Sequence, residues 1–346
     1  MANIFNRILN FFLGDDDETT DDEDQGKTYT SLAEALEHPL EVINLDLSRG
    51  NLDVVPEDIQ KFTNLESLEL DNNNITVLPE WFASLTKLGN LNLERNSLTA
   101  IPSQLKNLTN LYALSLGKNE ITEVPAWLGD LGELEMLSLY ANQISSLPTS
   151  LTKLTQLGRL YLAENELSEI PFSLEHFKDL SQLNLSENNL TEVPQGFCSL
   201  ENITTVYFDE NQISVVPENI GDAKSLNWLS FSNNKITHIP ESIGDLSELT
   251  NLFFSENEIN TIPDSIGKLS NLEQLHFFRN QIEVIPESIG NLSSLEDFNM
   301  KYNKVATLPR SLTKLKNLTD FVIRANEVSA EEIEALQKDF PCEIQS

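Results

Sequence analysis

Residues 65–79 read LESLELDNNNITVLP, with leucine, isoleucine and asparagine at fixed spacings ahead of a proline. The apolar Leu68 and Leu70 alternate with polar residues, which is the pattern of a short β-strand with one buried face. Asn73 follows where the chain must bend, and its amide can satisfy backbone groups that the bend leaves unpaired. The stretch therefore predicts a strand, a tight turn held by an asparagine, and then a proline-marked segment.

This pattern recurs every 23 residues, without insertion or deletion, from Val42 to Val328. The prolines that mark the period are Pro56, Pro79, Pro102, Pro125, Pro148, Pro171, Pro194, Pro217, Pro240, Pro263, Pro286 and Pro309. Each proline is followed by a short segment with apolar residues three and six places on, such as Ile243 and Leu246. A strict period of this length predicts a solenoid in which thirteen strands stack into one parallel sheet.

The pattern resembles that of leucine-rich repeat proteins over residues 40–328, with an Ile-Pro or Leu-Pro step in most units. The 23-residue form is similar to the subclass found in Ras-scaffold proteins, plant Ras-group-related proteins and many bacterial proteins. This resemblance implies an α/β fold, a right-handed horseshoe with a parallel concave sheet, short convex helical or 3-10 turns and helical caps at both ends. It also implies protein binding on the concave face.

Five segments follow from the sequence, and both ends of the array carry signals for a cap. Ser31 with Glu34 and Ser329 with Glu332 each have the spacing of a helix capping box. The expected segments are an amphipathic segment 1–14, an acidic disordered linker 15–28, an N-terminal cap helix 29–41, twelve full repeats and one partial repeat in 42–328, and a C-terminal cap 329–346.

The N-terminal segment MANIFNRILNFFLG leaves three interpretations open: a docking helix for a partner, a weak contact with a membrane surface, or no function. A signal peptide is disfavoured, because Arg7 and three asparagines interrupt the apolar residues. Residues 15–24, DDDETTDDED, hold eight acids in ten positions and weigh against anionic membranes.

The formal net charge of −33 disfavours nucleic acid as a partner, because the protein would repel phosphate groups. The two cysteines, Cys198 and Cys342, lie far apart in sequence and favour a reducing, cytoplasmic location, with export lacking a cleavable signal as the alternative. No phosphate loop, zinc-ligand cluster or catalytic pair is present, so we expect no enzyme activity, catalytic residue, metal or cofactor. The oligomeric state stays open.

Aromatic residues cluster at outward-facing strand positions in the C-terminal half, and we expect them to form a continuous binding surface, with self-association or a surface of no function as the alternatives. This aromatic patch comprises Tyr207, Trp228, Phe253, His276, Phe278 and Tyr302. A secondary cluster comprises Met136, Tyr140 and Tyr161. Between the two lies a polar gap formed by Gln182, Asn184 and Ser186. Asp297 lies diagonal to His276, and we expect a polar contact between them within the patch, with stabilisation of the charged imidazole as the alternative.

Charged residues flank the aromatic patch and would orient a partner. They are Asp209, Glu210 and Glu256 on one side and Arg279, Lys301, Lys304 and Arg324 toward the C-terminal end. The mostly acidic remainder favours a basic protein partner. The sequence predicts a scaffold or adaptor. An inhibitor that occludes an enzyme, and a receptor for a glycan or small ligand, remain alternatives.

Overall fold

The computed structural model describes residues 27–346, in which one parallel sheet of 15 strands contains every strand in chain order. The strands are β1 Thr28–Tyr29, β2 Asn44–Asp46, β3 Ser67–Glu69, β4 Asn90–Asn92, β5 Ala113–Ser115, β6 Met136–Ser138, β7 Arg159–Tyr161, β8 Gln182–Asn184, β9 Thr205–Tyr207, β10 Trp228–Ser230, β11 Asn251–Phe253, β12 Gln274–His276, β13 Asp297–Asn299, β14 Asp320–Val322 and β15 Ile344–Gln345. The expected repeat solenoid is confirmed.

Each repeat strand is three residues long, and its central residue points into the core. The next inward residue follows two positions later, as the period of a strand requires. In four consecutive repeats this second residue is Phe208, Phe231, Phe254 or Phe277, and all four are buried. Their rings stack with centroid separations of 5.0, 5.5 and 6.1 Å. The core therefore contains a column of rings directly behind the C-terminal half of the sheet.

The repeated asparagines join each repeat to the one before it. The Asn188 side chain donates to Leu162 O at 2.9 Å and to Leu185 O at 3.2 Å, and it accepts from Leu167 N at 3.0 Å. The residue ahead of each such asparagine has a φ between 50° and 58°, as at Glu187. This left-handed backbone turns the chain sharply out of the strand, and the asparagine satisfies the groups that the turn exposes.

The convex side consists of twelve short 3-10 turns. They are Glu57–Lys61, Glu80–Ser84, Ser103–Asn107, Ala126–Asp130, Thr149–Lys153, Leu174–His176, Phe197–Ser199, Ile220–Asp222, Glu241–Asp245, Asp264–Lys268, Glu287–Asn291 and Arg310–Lys314. In most repeats the proline that marks the period directly precedes the turn, as its N-cap residue in an extended conformation that the fixed φ of proline allows. Gly196, with a φ of +79°, precedes Phe197–Ser199 instead, and a Cβ there would lie 2.2 Å from Ser173 Oγ.

Both ends of the array are closed by a helix and a strand. The helices α1, Leu32–Ala35, and α2, Ala330–Gln337, begin after Ser31 and Ser329, whose hydroxyls accept from the backbone N–H groups of Glu34 and Glu332. The sequence predicts these helices but not β1 and β15, which extend the sheet beyond the thirteen repeat strands. The proposed segment 1–14 and most of the linker lie outside the described residues.

Candidate protein-binding surface

The outward strand positions bring four rings of the aromatic patch into one unbroken line across β9 to β12, which we call the ring row. Trp228 lies with its ring centroid 5.8 Å from that of Tyr207 and 5.0 Å from that of Phe253. Phe253 in turn meets His276 edge to face at 4.9 Å. These separations are typical of favourable aromatic pairs, so the four rings support one another's positions.

The ring row is half-buried, because each side chain leans on its neighbours along the sheet. The indole Nε1 of Trp228 is shielded from solvent and has no hydrogen-bond partner among the described residues. A shielded N–H group without an acceptor is unfavourable. Trp228 is thus held in the row by its contacts with Tyr207 and Phe253 and not by a hydrogen bond from its indole.

His276 is held in place by a carboxylate on the next strand. Its Nε2 lies 2.8 Å from Asp297 Oδ2, and both side chains are partly buried. The strand register pairs His276 with Asn299 and Gln274 with Asp297, so the contact is the diagonal one that the sequence suggests. The carboxylate fixes the orientation of the imidazole at the end of the ring row.

Phe278 and Tyr302 form a separate pair, with ring centroids 5.7 Å apart. Tyr302 has a φ of 58° because it occupies the left-handed position ahead of Asn303, and it is 45% exposed. No ring contact among residues 27–346 joins this pair to the ring row. The structure thus divides the expected patch into a recessed row of four rings and an exposed pair at the edge of the concave face.

The charged residues around the patch differ in their exposure to solvent and in their hydrogen bonds within the protein. The Asp209 side chain contacts the next repeat, where its carboxylate accepts from Ser230 Oγ and, at 2.6 Å, from Ser232 N. Burial raises the pKa of Asp209 above its ordinary value, although these hydrogen bonds oppose the effect. Glu210 is exposed. Asp209 therefore contributes to the structure of the surface more than to its outward charge.

The secondary cluster is held by contacts within the protein. Met136 is 5% exposed, so it presents little surface to a partner. The Tyr161 hydroxyl donates to Gln182 Oε1, and burial raises the pKa of Tyr161 to about 12. The Tyr140 hydroxyl donates to the buried carboxylate of Glu94, two repeats away, and burial followed by this contact raises the pKa of Tyr140. Both phenols stay protonated at neutral pH.

Sequence reasoning did not anticipate how Tyr140 reaches Glu94. The ring lies over Gly117, where a Cβ would come within 2.3 Å of Tyr140 Cε1. Tyr112 lies over Gly89 in the same way, with a hypothetical Cβ 2.5 Å from the ring. A glycine at or beside an outward strand position, one repeat ahead of a tyrosine, is the signal that would have revealed these arrangements.

Family comparisons agree with this architecture along most of the chain. The family described as "Leucine rich repeat" matches residues 41–98, 86–144 and 109–167, and a second model of that description matches residues 179–200. A "Leucine-rich repeat region" model matches residues 218–340. A comparison with curated proteins found no match. Within residues 27–346, no helix has the length and apolar character needed to cross a membrane.

Several solved structures are similar to the chain. A leucine-rich repeat protein of Leptospira interrogans is 29% identical, with a TM-score of 0.81 over 93% of this chain and 100% of that one. An internalin from Listeria monocytogenes is also 29% identical, with a TM-score of 0.78 over 88% of this chain and 87% of that one. The ectodomain of the plant membrane receptor kinase GASSHO1/SCHENGEN3 from Arabidopsis thaliana, solved in complex with CASPARIAN STRIP INTEGRITY FACTOR 2, is 26% identical, with a TM-score of 0.55 over 91% of this chain and 48% of that one.

Proposed function

Because the chain is a leucine-rich repeat protein, we propose that it is a non-catalytic scaffold or adaptor that binds a partner protein on the aromatic concave face of its C-terminal half. The observation that carries this proposal is the ring row, in which each of four rings on four adjacent strands contacts the next. Aromatic side chains dominate the energetics of protein interfaces when they lie together in a recessed, well-packed surface.

The inner phenylalanine column adds support, because it backs the same strands that carry the ring row. Phe208, Phe231 and Phe254 follow directly after β9, β10 and β11 and stack inside the core. A rigid core limits the entropy lost when a surface binds a partner. The GASSHO1/SCHENGEN3 complex further shows a solenoid of this kind holding a second molecule, which favours the same use here.

The test begins with a partner captured from a lysate of the source organism by the full chain. Replacing Trp228 and Phe253 together by Ala should weaken its binding by at least about 2 kcal/mol, or roughly thirtyfold, if these rings are hot-spot residues. The outward orientation of both side chains means that folding should be spared. Isothermal titration measures the affinity, and circular dichroism with thermal melts checks the fold.

The matched control replaces Asn184 and Ser186 by Ala in the polar gap, two repeats away from Trp228. These side chains lie on the same concave face, and their main loss is the contact between Asn184 Oδ1 and Ser186 N. We expect a much smaller change in affinity. A folded Trp228→Ala, Phe253→Ala variant that binds as tightly as the parent would refute the proposed site. The effect of the complex on the partner's own activity then distinguishes a scaffold from an occluding inhibitor.

A further inference from the structure

Three basic side chains gather at the C-terminal end of the concave face, beside the exposed aromatic pair. We call this group the basic corner; it consists of Phe278, Arg279, Lys301, Tyr302 and Arg324. Backbone hydrogen bonds place its members on successive repeats, since Arg279 N donates to Lys301 O and Tyr302 N donates to Arg324 O, both at 2.9 Å. Neighbouring strands lie about 4.8 Å apart, so one short ligand segment can contact all three repeats.

The two aromatic rings hold two of these cations in position. Arg279 Cζ lies 4.9 Å from the centroid of Phe278 and 5.5 Å from that of Tyr302. Lys301 Nζ lies 4.9 Å from the centroid of Tyr302 and 6.0 Å from that of Phe278. Cation–π contacts of this length restrain the long side chains while leaving their positive charge available to a ligand.

The charge of the corner is only partly neutralised by the protein itself. Arg279 has a carboxylate neighbour, Glu256, at 3.4 Å, and this pair is solvent-exposed. Within residues 27–346, no carboxylate forms an ion pair with Lys301 or Arg324.

The acids on the adjoining strands have other contacts. Asp297 lies against His276, and Asp320 accepts from Gln345 Nε2 at 2.7 Å. A chain with 55 acidic and 22 basic residues therefore keeps two cations free side by side. A free cation pair in such a chain marks a place for an anion.

The chemistry of the corner favours carboxylates over phosphate. Phosphate sites commonly use free backbone N–H groups at a helix N-terminus or in a nest of successive amides. Here the N–H groups of Arg279 and Tyr302 already donate to carbonyl groups of the next repeat. What the corner offers is side-chain cations beside apolar ring faces, which match a chain segment carrying both carboxylates and apolar side chains.

We propose that the basic corner binds an acidic segment of the partner protein, in which Asp or Glu side chains stand next to aromatic or aliphatic ones. The inference rests on the proposed protein-binding function and adds to it the orientation of the partner along the concave face. The acidic segment lies over β12 to β14, and the rest of the partner extends along the ring row toward the acidic N-terminal half of the concave face.

The test uses the full chain and three labelled peptides at physiological ionic strength: one of alternating Glu and Phe, one of alternating Lys and Phe, and one of alternating phosphoserine and Phe. Fluorescence anisotropy measures their binding. Replacing Lys301 and Arg324 by Glu should weaken binding of the Glu/Phe peptide by at least about tenfold, because it reverses the local charge. The control changes Lys106 and Lys178, exposed outside the concave face, to Glu and alters the net charge equally.

We expect the control to change the affinity by less than about twofold, since distant charges are screened at this ionic strength. The inference is overturned if the Glu/Phe peptide does not bind, if Lys301→Glu, Arg324→Glu leaves its affinity unchanged, or if the phosphoserine or Lys/Phe peptide binds more tightly. These outcomes are separate from failure of the proposed function. If binding of the partner requires Trp228 and Phe253 but the Glu/Phe peptide does not bind, the ring row remains the proposed binding site. Only the inference of an acidic segment is then rejected.

Discussion

At the scale of single residues, each repeated asparagine stabilises the turn that the left-handed residue ahead of it forms. An L residue with a φ near 50° is less stable than in its usual conformations by about 1–2 kcal/mol. Twelve repeats nevertheless use residues other than glycine there, including Glu187, Arg279 and Tyr302. The asparagine that follows, Asn188 after Glu187, offsets this strain with hydrogen bonds to two repeats.

Replacing Asn188 by Ala should lower the free energy of unfolding by about 1–3 kcal/mol, because buried backbone groups lose their partners. Asn188 is 7% exposed and lies in the middle of the array, so water cannot readily replace its amide. Chemical denaturation followed by circular dichroism measures the change. Asn189→Ala, at the exposed next position, is the matched control and should have little effect. Equal midpoints for Asn188→Ala and the parent would contradict the role given to the asparagine.

Asp209 should make the stability depend on pH. Its pKa in the folded protein is raised by burial, so the unfolded chain loses this proton at lower pH than the folded one. Below the unfolded pKa of about 3.9 the residue is protonated in both states and has no effect on stability. As the pH rises from there through the folded pKa, the unfavourable contribution of the buried carboxylate grows to its full value.

Asp209→Asn removes that contribution and keeps an oxygen that can accept from Ser230 and Ser232. The variant should therefore gain stability relative to the parent as the pH rises above about 4, measured as thermal midpoints between pH 3 and pH 7. Glu210→Gln makes the same charge change at the exposed next residue and serves as the comparison. A gain for Asp209→Asn that is constant over this range would show that its carboxylate does not titrate differently in the folded protein.

At the scale of elements, the repeat strands, the turns and the cap helices were predictable, because each has a local signal. Leu68 and Leu70 mark a strand by alternation, and Ser31 and Ser329 mark helix starts. The strands β1 and β15 have only two residues each, and no alternation distinguishes them. They exist because the exposed edges of β2 and β14 offer hydrogen bonds to any nearby chain, which is a tertiary effect.

The candidate site was predictable in its positions but not in its contacts. Alternation places Trp228 and Phe253 outward, and the structure agrees. Burial of Met136 depends on the sizes of its neighbours on adjacent strands, which a single repeat does not reveal. Phe278 likewise makes its ring contact with Tyr302 of the next repeat, which its place within its own repeat does not reveal. The spacing of residues in the sequence thus predicts which side chains face outward, but it does not predict how they pack across repeats.

Deleting residues 343–346 should expose the edge of β14 and destabilise the last repeats. The loss removes Ile344, which is 5% exposed, and the hydrogen bond from Ile323 N to Gln345 O. Hydrogen exchange should show the Ile323 amide losing most of its protection while amides near Asn188 keep theirs. Glu343→Ala is the control, because that side chain is exposed. An Ile323 amide that stays protected after the deletion would show that β15 does not close the sheet.

At the scale of the whole molecule, two columns of rings run along the same repeats, one inside the core and one on the concave surface. Nearer the C-terminus a second pair of stacked rings, Phe298 and Phe321, occupies the central strand positions of β13 and β14, whereas Met300 takes the position equivalent to Phe277. The outer rings end near the basic corner, whereas Asp46 and Glu69 lie at outward positions of the N-terminal repeats. The concave face therefore has an acidic end and a basic end, with aromatic rings on the basic side.

Among residues 27–346, the end strands β1 and β15 each pair with a single neighbour, so they are where the sheet would begin to open if this part of the chain were stretched from its two ends. Once an end strand has separated, the next repeat becomes the new end and carries the load. Every repeat has 23 residues, so each opening releases the same length of chain, about 80 Å at roughly 3.5 Å per residue. The extension of the stretched molecule would then increase in equal increments and report how many repeats remain folded.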